Sequence, residues 1–477
     1  MTPWKPLISD ALTVFNFLLA SYFVVGNGVY TLLMLMSLVS VWLHNRRLAY
    51  EGLEEMKAST VTPPVTLIMP AHDEQNVIVE SVRSALRTDY PGLQVFVVDD
   101  GSNDQTLERL IAAFNLVTVD LIYRPRTPTR GVRAFYQNPA SPNLLVISKA
   151  NGGKPDALNA GLNVCRTPYF CSLDADCLLE PDALLRLMRP ILRSPSNTVA
   201  SGGVVRILNG CEVKDDRVVQ VRLPRSSLER FQVVEYLRSF LFGRTGWDLL
   251  GGTLIVSGAF ALFHRETVLE AGGFSTDTVT EDMELVVRLH RWAAGHGRKI
   301  AMSFTSDPVC WSQCPSTLKM LARQRRRWQL GLCQTLWKNR FMLLNERYGA
   351  IGLLSFPFHV YVEGLGAVVE LLGYCVIVLA ILFRVALPNL LIPFVVVGLA
   401  WATFLSVGAV VLEELTHRRY PRLRDLETLL WYALLENFGY RQLILWYRFQ
   451  GVARFLAGIR KWEKVIHHGA AEQAMEN

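Results

Sequence analysis

Charged residues are missing from a long stretch near the start of this 477-residue sequence. No Asp, Glu, Lys or Arg occurs in residues 11–43, and about 20 apolar residues are enough to cross a bilayer core. This absence argues against a wholly soluble protein and predicts one membrane helix, either long or kinked at Gly26-Asn27-Gly28. A cleavable signal peptide has a shorter apolar core and a small-residue cleavage site, so we interpret the segment as an anchor.

Cysteine patterns typical of metal sites are also missing. The eight cysteines show no metal-ligand spacing, and Cys310 and Cys314 have neither a second pair nor a histidine near them. Most of the eight lie in a region that we predict to be cytosolic, where disulfides are rare. We therefore expect these cysteines to pack in the protein interior.

Two further apolar segments follow the long central region, at about 364–383 and 385–412. Pro388-Asn389 between them predicts the turn of a helical hairpin. A last segment, 426–446, is also apolar, but it contains two glutamates and one arginine and is followed by several basic residues. We therefore favour an interfacial or channel-lining helix pair there over a fourth span.

Basic residues close the first and third spans. Arg46 and Arg47 follow the first span, and a basic run at 417–424 follows the third, so the positive-inside rule places both on the cytoplasmic side. The region 44–345 is then cytosolic. The net charge of +7 suits a protein that faces anionic lipid headgroups and an anionic nucleotide. Nucleic acid is not expected as a partner, because the basic residues cluster beside the membrane segments.

The central region begins with a pattern typical of a parallel sheet. Apolar runs at 65–69 and 93–98 flank a helical pattern at 77–86, which together predict a βαβ unit. A Pro-, Arg- and Thr-rich stretch at 124–143 predicts an exposed loop. Further strands are predicted at 144–147 and 169–173.

Acidic residues follow the first two predicted strands. Ligands of parallel sheets bind beyond the carboxyl ends of the strands, where Glu74, Asp99 and Asp100 fall. Their carboxylates could accept hydrogen bonds from a nucleotide base or ribose, while Gly101 allows a close backbone turn. Alternatively, Asp99 and Asp100 cap a helix that starts near Gln105, which is a frequent use of Asp.

Two motifs that suit phosphate and metal follow the later strands. The glycines of Asn151-Gly152-Gly153-Lys154 would let the backbone approach a phosphate, and Lys154 could neutralise that phosphate. Asp174-Ala175-Asp176 places two carboxylates on the same side of an extended strand end, where they can hold a hard divalent cation. A solvated acidic turn is the alternative for this second motif.

Two helical motifs complete the series. Thr280 is a candidate N-cap of a helix over 285–292, with Glu281 and Asp282 in its first turn, where either carboxylate could also act as a general base. In Gln324-Arg325-Arg326-Arg327-Trp328, the first, fourth and fifth residues share one face of a helix that starts near Ser316. The other arginines are predicted to lie off the apolar stripe, as in a helix on a membrane surface.

In their order, these motifs resemble those of family 2 membrane glycosyltransferases, the group of cellulose, hyaluronan, chitin-oligosaccharide and poly-N-acetylglucosamine synthases. The resemblance covers about 65–328 and implies an α/β GT-A domain with a mixed, largely parallel sheet, flanked by transmembrane and interfacial helices. It implies that a UDP-sugar is the donor substrate and that Mg²⁺ or Mn²⁺ is the cofactor.

The resemblance also assigns roles to residues. Asp282 and Glu281 would be catalytic, with Asp282 as the base, and Asp174 and Asp176 would hold the metal. Ser257, Gly258 and Trp328 would contact the acceptor. The nucleotide-sugar would be bound by Glu74, Asp99, Asp100, Lys154, Asp174, Gln324 and Arg327.

The expected reaction inverts the anomeric carbon and extends a β-linked polysaccharide. One alternative is a single transfer to a lipid acceptor, and another is a non-catalytic envelope or export scaffold that keeps the fold. Three predicted spans are fewer than self-contained polymer channels have. An export partner or a second copy of the chain is therefore an open expectation.

The predicted organisation has five parts. Residues 1–45 form the transmembrane anchor, 46–314 the cytosolic GT-A domain and 315–362 amphipathic interfacial helices. Residues 363–414 form the transmembrane hairpin, and 415–477 form interfacial or channel-lining helices with a basic cytosolic tail. The expected location is a bacterial inner or plasma membrane, crossed several times, with the catalytic domain in the cytosol.

Overall fold

The centre of the molecule is a ten-stranded sheet, accompanied by a separate two-stranded hairpin. The computed structural model describes residues 5–48, 52–382 and 388–459. The strands within these ranges are β1 (Val65–Ala71), β2 (Leu93–Asp99), β3 (Val117–Val119), β4 (Val132–Asn138), β5 (Ser141–Lys149), β6 (Tyr169–Leu173), β7 (Leu178–Leu179), β8 (Thr198–Ile207), β9 (Glu212–Lys214), β10 (Arg217–Gln220), β11 (Phe260–His264) and β12 (Ala301–Ser312).

The sheet is mixed, with a parallel centre. Its order is β3-β4-β5-β2-β1-β6-β11-β8-β12-β7, and β5, β2, β1 and β6 run parallel to one another. The carboxyl ends of β2, β1 and β6 therefore lie side by side at one edge. Pro70 lies inside β1, where the sequence predicts the strand to end, because the pairing of β1 with β6 stops at Ile68 and the missing N–H costs no hydrogen bond there.

Both faces of the sheet are buried, as the near-continuous apolar runs predict. Leu67 and Met69 point into one core, which α3 covers, whereas Ile68 points into a second core on the α5 side. Fully burying side chains of this kind is worth about 1.5–3 kcal/mol each. The two cores fix the position of the strand ends and of the loops that follow them.

Helices pack on both faces and extend away from the sheet. They are α1 (Lys5–Leu48), α2 (Leu53–Ala58), α3 (Ile78–Leu86), α4 (Thr106–Phe114), α5 (Lys154–Val164), α6 (Ala183–Arg193), α7 (Ser227–Leu237), α8 (Thr245–Leu249), α9 (Arg265–Glu270), α10 (Glu281–Gly295), α11 (Leu318–Lys338), α12 (Phe356–Phe358), α13 (Gly366–Leu382), α14 (Pro388–Thr416), α15 (Leu423–Leu435) and α16 (Tyr440–Leu456). Segments Arg238–Arg244, Ile351–Ser355 and His359–Gly364 are π-helical, and Arg340–Met342 and Glu346–Tyr348 are 3₁₀ turns.

Two of these helices are long and apolar enough to cross a membrane. They are Val14–Arg46 within α1 and Val395–Thr416 within α14. A third candidate is the pair Ile351–Gly364 and Gly366–Leu379, which is bent by 41°. The predicted span at 364–383 thus begins at a bend, and residues 383–387, between the two predicted hairpin spans, lie outside the described residues.

Region 426–446 forms parts of two helices, because α15 ends at Leu435 and α16 begins at Tyr440. Glu436 lies at the break, fully buried, and accepts hydrogen bonds from Arg238 and Ser406. A buried carboxylate with two donors fits a break between helices better than the lipid-facing middle of one span. The basic tail predicted beyond residue 459 lies outside the described residues.

The prediction of an exposed loop at 124–143 is wrong in part. This stretch contains β4 and the start of β5, which pair antiparallel with Phe135 opposite Ile147. The proline, arginine and threonine residues that suggested a loop mostly precede β4. Tertiary pairing to β5 therefore overrides the local composition.

Candidate active site

The acidic motifs meet at one edge of the sheet, beside a cavity of about 2070 Å³. The loops after β1, β2 and β6 deliver Glu74, Asp100 and Asp174 to it, because these strands are parallel and adjacent. Asp99 does not line the cavity, unlike every other predicted site residue. The predicted residues in its wall are Glu74, Asp100, Lys154, Asp174, Asp176, Ser257, Gly258, Glu281, Asp282, Gln324, Arg327 and Trp328.

Asp100 organises the glycine loop. Its carboxylate accepts hydrogen bonds from the backbone N–H groups of Gly152 (2.9 Å) and Gly153 (2.6 Å) and pairs with Lys149 Nζ at 2.5 Å. Lys149 is fully buried and also pairs with Asp156, at 2.6 Å. A buried lysine between two carboxylates therefore fixes the loop that precedes α5.

Asp99 and Asp100 do not cap the next helix. The N-cap of α4 is Gln105, and the carboxylate of Asp104 accepts from the backbone N–H of Thr106 at 2.9 Å. Asp99 instead accepts from the N–H of Ser102 at 3.2 Å, and burial raises its pKa. The capping alternative is thus wrong, while the nucleotide-binding role of both residues stays a prediction.

Gly101 makes the close turn that the sequence predicts. Its φ of +66° is favourable for glycine, and a Cβ there would lie 2.8 Å from the backbone nitrogen of Asn151. The turn brings the loop after β2 against the loop after β5. A side chain at this position would separate the two loops.

Lys154 joins two of the predicted motifs. Its Nζ lies 2.6 Å from Asp174 and 3.0 Å from Glu281. Burial opposes the charge of Lys154, but the carboxylates of Asp174 and Glu281 outweigh burial and raise its pKa. Burial likewise works to raise the pKa of Glu281, yet the charges of Lys154 and Arg327 hold it below its usual value. Both groups are therefore charged at neutral pH.

Asp174 and Asp176 provide a donor set that fits a hard cation. Both carboxylates line the cavity, and Asp176 Oδ2 accepts from the Ser312 hydroxyl at 3.2 Å. Across the part of the chain that the structure describes, no three His, Cys, Asp or Glu side chains are grouped as a metal site. A cation held by these two carboxylates would thus take its other ligands from a diphosphate or water.

Asp282 lies in the first turn of α10, against the backbone of Gly258. The Gly258 N–H donates to Asp282 Oδ2 at 2.9 Å, and a Cβ on Gly258 would lie 3.0 Å from that oxygen. Burial and then the charge of Glu281 raise the pKa of Asp282. Such a carboxylate is a stronger base than an exposed Asp. Thr280 is the N-cap residue, but its side chain makes no capping hydrogen bond.

The motif Gln324–Trp328 on α11 forms another part of the cavity wall, in addition to the strand-end loops. Gln324, Arg327 and Trp328 all face the cavity, as their helical spacing predicts, and Trp328 is 38% exposed. Gln324 Oε1 is buried and has no hydrogen-bond partner among the described residues. The helix begins at its N-cap Thr317, whose side chain accepts from the Met320 N–H.

Arg325 is predicted to lie off the apolar stripe of a helix on a membrane surface, and this prediction is wrong for the environment of its side chain. Arg325 is buried, forms a 2.9 Å ion pair with Glu235 on α7 and lies 4.3 Å from the ring centre of Trp328. The helix packs against α16 as well as the catalytic domain, so its polar side is covered by protein. The guanidinium of Arg325 therefore packs against the Trp328 ring and helps to hold it in position.

The cavity continues from Trp328 to the long helices. Its wall includes residues of α1, α13, α14 and α16. A polar cluster lies at this membrane end, where Arg448 pairs with Glu363 at 3.0 Å and donates to Gln329 at 3.0 Å. Tyr30 of α1 also donates to Glu363. The same cavity thus connects the acidic motifs with the candidate membrane spans.

Sequence reasoning missed several residues of this site. Lys149 had a readable signal, since a lysine at the end of a buried strand needs counter-charges. Glu363 and Arg448 had none, because they are 85 residues apart and meet only through packing of the bent segment on α16. Arg244, which also lines the cavity, stands in no motif.

Comparison with known proteins places these observations in a family. The model of the glycosyltransferase like family 2 matches residues 63–331, which is more than half of the chain. The matched range begins just before β1 and ends within α11. It contains all the predicted site residues.

Curated relatives include the poly-β-1,6-N-acetyl-D-glucosamine synthases of Staphylococcus aureus and Staphylococcus epidermidis, with 24% and 23% identity over 292 residues. The match covers 61% of this chain and 60% of each relative. Less than two thirds of each synthase is thus represented.

Among solved structures, a mannosyltransferase from Pyrobaculum calidifontis, determined with GDP-mannose and Mn²⁺, is similar with a TM-score of 0.50 at 17% identity. The alignment covers 92% of this chain and 99% of the mannosyltransferase chain. At this identity the similarity shows the fold. The predicted fold class, a mixed α/β glycosyltransferase domain flanked by apolar helices, is confirmed.

Proposed function

The chain belongs to glycosyltransferase family 2, and from this we propose that it transfers a sugar from a UDP-sugar to a growing β-linked polysaccharide. One observation carries the proposal. A single cavity joins the carboxylates at the strand ends, the Asp282 and Trp328 pair, and the candidate membrane helices.

At the donor end we propose that Glu74, Asp100, Lys154, Gln324 and Arg327 bind the nucleotide-sugar. Asp99 is buried outside the cavity wall, so it would instead stabilise the loop after β2 through its hydrogen bond from the Ser102 N–H. Arg327 and Lys154 are the cations that act on Glu281, so the three groups form one charged unit that a diphosphate can enter. The buried oxygen of Gln324 supports a direct contact with the donor.

Asp174 and Asp176 would hold Mg²⁺ or Mn²⁺. Such a cation, when bound, neutralises the charge that builds on the leaving diphosphate. Lys154 keeps Asp174 oriented through its 2.6 Å contact. Glu281 in turn keeps Lys154 in place, so we assign Glu281 a positioning role beside the catalytic Asp282.

Asp282 is the proposed general base. The acceptor hydroxyl oxygen forms a bond to the anomeric carbon while the bond from that carbon to the UDP oxygen breaks. Asp282 takes the hydroxyl proton, and the anomeric configuration inverts. The Gly258 N–H, at 2.9 Å, fixes the rotamer of Asp282. Ser257, Gly258 and Trp328 would align the acceptor, with its sugar ring on the exposed indole.

We further propose that the chain has the five-part organisation predicted from the sequence, with the GT-A domain in the cytosol. The α13–α14 pair would form the hairpin, and α15 and α16 would line the membrane end of the cavity. The polar side chains at that end, including Glu363 and Arg448, suit a hydroxyl-rich polymer better than a lipid tail. A partner or a second copy would complete the export path.

The second candidate is a single transfer to a lipid acceptor. One observation favours it, since the apolar residues of α1 and α14 in the cavity wall could accommodate a lipid chain. A catalytically inert scaffold is a weaker alternative, because the acidic motifs and the α11 motif all face one cavity.

The test is release of the nucleoside diphosphate by purified protein in detergent, with Mg²⁺ or Mn²⁺, across a panel of UDP-sugars and, in addition, GDP-mannose. Radiolabelled product is then sized. A single preferred UDP-sugar and a product of many sugars are expected. A product with one sugar on lipid would replace the polymer by the second candidate, and no turnover with any donor would favour the scaffold.

A further inference from the structure

Arg244 is a cavity residue that the reaction described above does not use. It is the last residue of the π-helical segment that precedes α8, and it lines the same cavity as Asp282. Its guanidinium carbon lies 3.9 Å from the ring centre of Phe240 and 5.9 Å from that of Phe304. The two aromatic rings hold the guanidinium in place by cation–π contact.

The donors of Arg244 have no protein acceptor. Among the described residues, no carboxylate pairs with it and no oxygen accepts from it, and its Nη1 atom is buried. Other arginines in the cavity wall differ, since Arg238 pairs with Glu436 and Arg325 with Glu235. Buried donor atoms of a cation are normally paired, so the unpaired Nη1 of a half-buried arginine that faces a cavity indicates a ligand.

The charge around Arg244 indicates which ligand. Burial lowers the pKa of Arg244 to about 10, and the charge of Asp282 partly opposes this effect. Arg244 is therefore still charged at neutral pH, and both Arg244 and Lys154 act on Asp282. Lys154 is already paired with Asp174 and Glu281, whereas Arg244 has no carboxylate partner among the described residues. Because Asp282 must be ionised to take a proton, a second anion close to it would be repelled. Neutral oxygen atoms fit this place better.

We propose that Arg244 binds the terminal sugar of a neutral acceptor, donating to its hydroxyl or acyl carbonyl oxygens. The five N–H donors of a guanidinium in a planar fork suit the neighbouring oxygens of one sugar ring. This inference rests on the proposed function for the place of the acceptor. It adds an acceptor-binding residue on the wall formed by segment 238–244, separate from Trp328 on α11.

The experiment uses the full-length protein with Arg244→Met and Arg244→Lys. Arg340→Met is the matched control, since Arg340 also lies over an aromatic ring, that of Trp337 at 5.0 Å, but is exposed outside the cavity. Two quantities are measured. The first, during turnover, is the KM for acceptor against the KM for donor; the second, in UDP-loaded protein, is the direct binding of β-linked tri- and pentasaccharides of N-acetylglucosamine or glucose.

For Arg244→Met we expect acceptor KM to rise about tenfold or more, as loss of charged hydrogen bonds implies, with donor KM and donor hydrolysis within about twofold of wild type. Arg244→Lys should recover part of the loss, and Arg340→Met should change neither quantity. Equal changes in the KM for donor and the KM for acceptor would overturn the proposal. Unchanged binding of the oligosaccharides by Arg244→Met would also overturn it. Failure of the wild-type protein to bind any of them would also overturn it. Oligosaccharide binding without sugar transfer would instead count against the proposed function alone.

Discussion

The two ends of the cavity are both rich in charge but are built differently. At the donor end, loops that follow adjacent strands place carboxylates within a few residues of one another, as in Asp174-Ala175-Asp176 and Glu281-Asp282. At the membrane end, the polar groups come from three separate elements and contact one another across the fold, as Tyr30, Glu363 and Arg448 do. At the donor end, Asp282 is held by backbone N–H groups and has no ion-pair partner among the described residues, whereas Glu363 and Arg448 at the membrane end pair with each other.

This difference implies different roles for the two ends. The donor end would carry out the transfer reaction, and the membrane end would line the path of the product. A carboxylate that lines the cavity without an ion-pair partner, as Asp282 does among the described residues, is available to a sugar or a proton. Charges that pair with one another make a polar wall without offering a free reactive group. We therefore expect changes at the donor end to affect bond making and changes at the membrane end to affect stability or passage of product.

The largest effect is expected at Asp282. Asp282→Asn should lower sugar transfer by about 10²–10⁴-fold, the usual contribution of a positioned general base. UDP affinity should stay nearly the same, because only the proton transfer is lost. Single-turnover transfer and UDP binding by calorimetry would measure the two quantities. Asp277→Asn is the control, because Asp277 is 77% exposed in the same region, and comparable turnover in both variants would refute the assignment of the base.

Next in size is the comparison of two lysines at the donor end. Lys149→Met leaves Asp100 and Asp156 buried without their partner, which should destabilise the protein by about 3–5 kcal/mol. Lys154→Met should destabilise it less, because Lys154 is 27% exposed, yet it should lose transfer activity. Thermal unfolding at a fixed scan rate, together with UDP release, would separate the effects. Equal stability losses for the two variants would contradict the structural role of Lys149.

At the membrane end, Glu363→Gln should have a smaller effect. The change removes the charge that pairs with Arg448, but Gln329 and the Glu363 carbonyl remain as hydrogen-bond acceptors for this arginine. We expect a stability loss of about 1–3 kcal/mol and unchanged hydrolysis of the donor. Thermal unfolding and UDP release are the measurements, with the exposed Glu346→Gln as control. Lost donor hydrolysis would break the distinction between the two ends.

Trp328 lies where the two ends meet. Trp328→Ala should raise acceptor KM about tenfold through loss of ring stacking, while donor hydrolysis changes little. Steady-state kinetics with varied acceptor and varied donor would measure this. Trp337→Ala serves as control on the same helix, because Trp337 is 61% exposed and lies outside the cavity wall. Unchanged acceptor kinetics in Trp328→Ala would remove its proposed role.

The smallest expected effect concerns pH. Burial and the charge of Glu281 raise the pKa of Asp282, and a general base works only when it is deprotonated. Activity should therefore be full above this pKa and fall as the pH is lowered through it, at a pH above the value of about 4 usual for Asp. In Glu281→Gln the acid limb of kcat/KM should move to lower pH. A limb that stays in place would show that Glu281 does not act on Asp282.

Much of the donor end could be predicted from the sequence. Strand periodicity located β1, β2 and β6, and parallel-sheet geometry then placed Glu74, Asp100 and Asp174 at one edge. The helical spacing of Gln324, Arg327 and Trp328 likewise predicted their shared face. These inferences succeed because the relevant residues are close in sequence and their geometry is set by local backbone structure.

What could not be predicted depends on packing between distant segments. Arg325 looked like a surface residue because Glu235, its partner, lies 90 residues earlier on another helix. The hairpin β4–β5 was hidden by a polar composition that strand pairing overrides. Arg244 belongs to no sequence pattern, and what distinguishes it is its place over Phe240 beside the cavity together with its lack of an acceptor among the described residues.

Helix α1 has a mechanical consequence. Its 44 residues make a rod of roughly 66 Å at a rise of about 1.5 Å per residue, about twice the thickness of a bilayer core. The C-terminal half of α1 contacts the catalytic domain, since His44 lies 3.3 Å from Asp307 and a Cβ on Gly246 would meet the Leu33 carbonyl at 2.5 Å. With the membrane crossing that we propose for α1, these contacts would hold the reacting groups at a fixed distance from the lipid. We expect the rate of transfer to depend on the acyl-chain length of the surrounding bilayer.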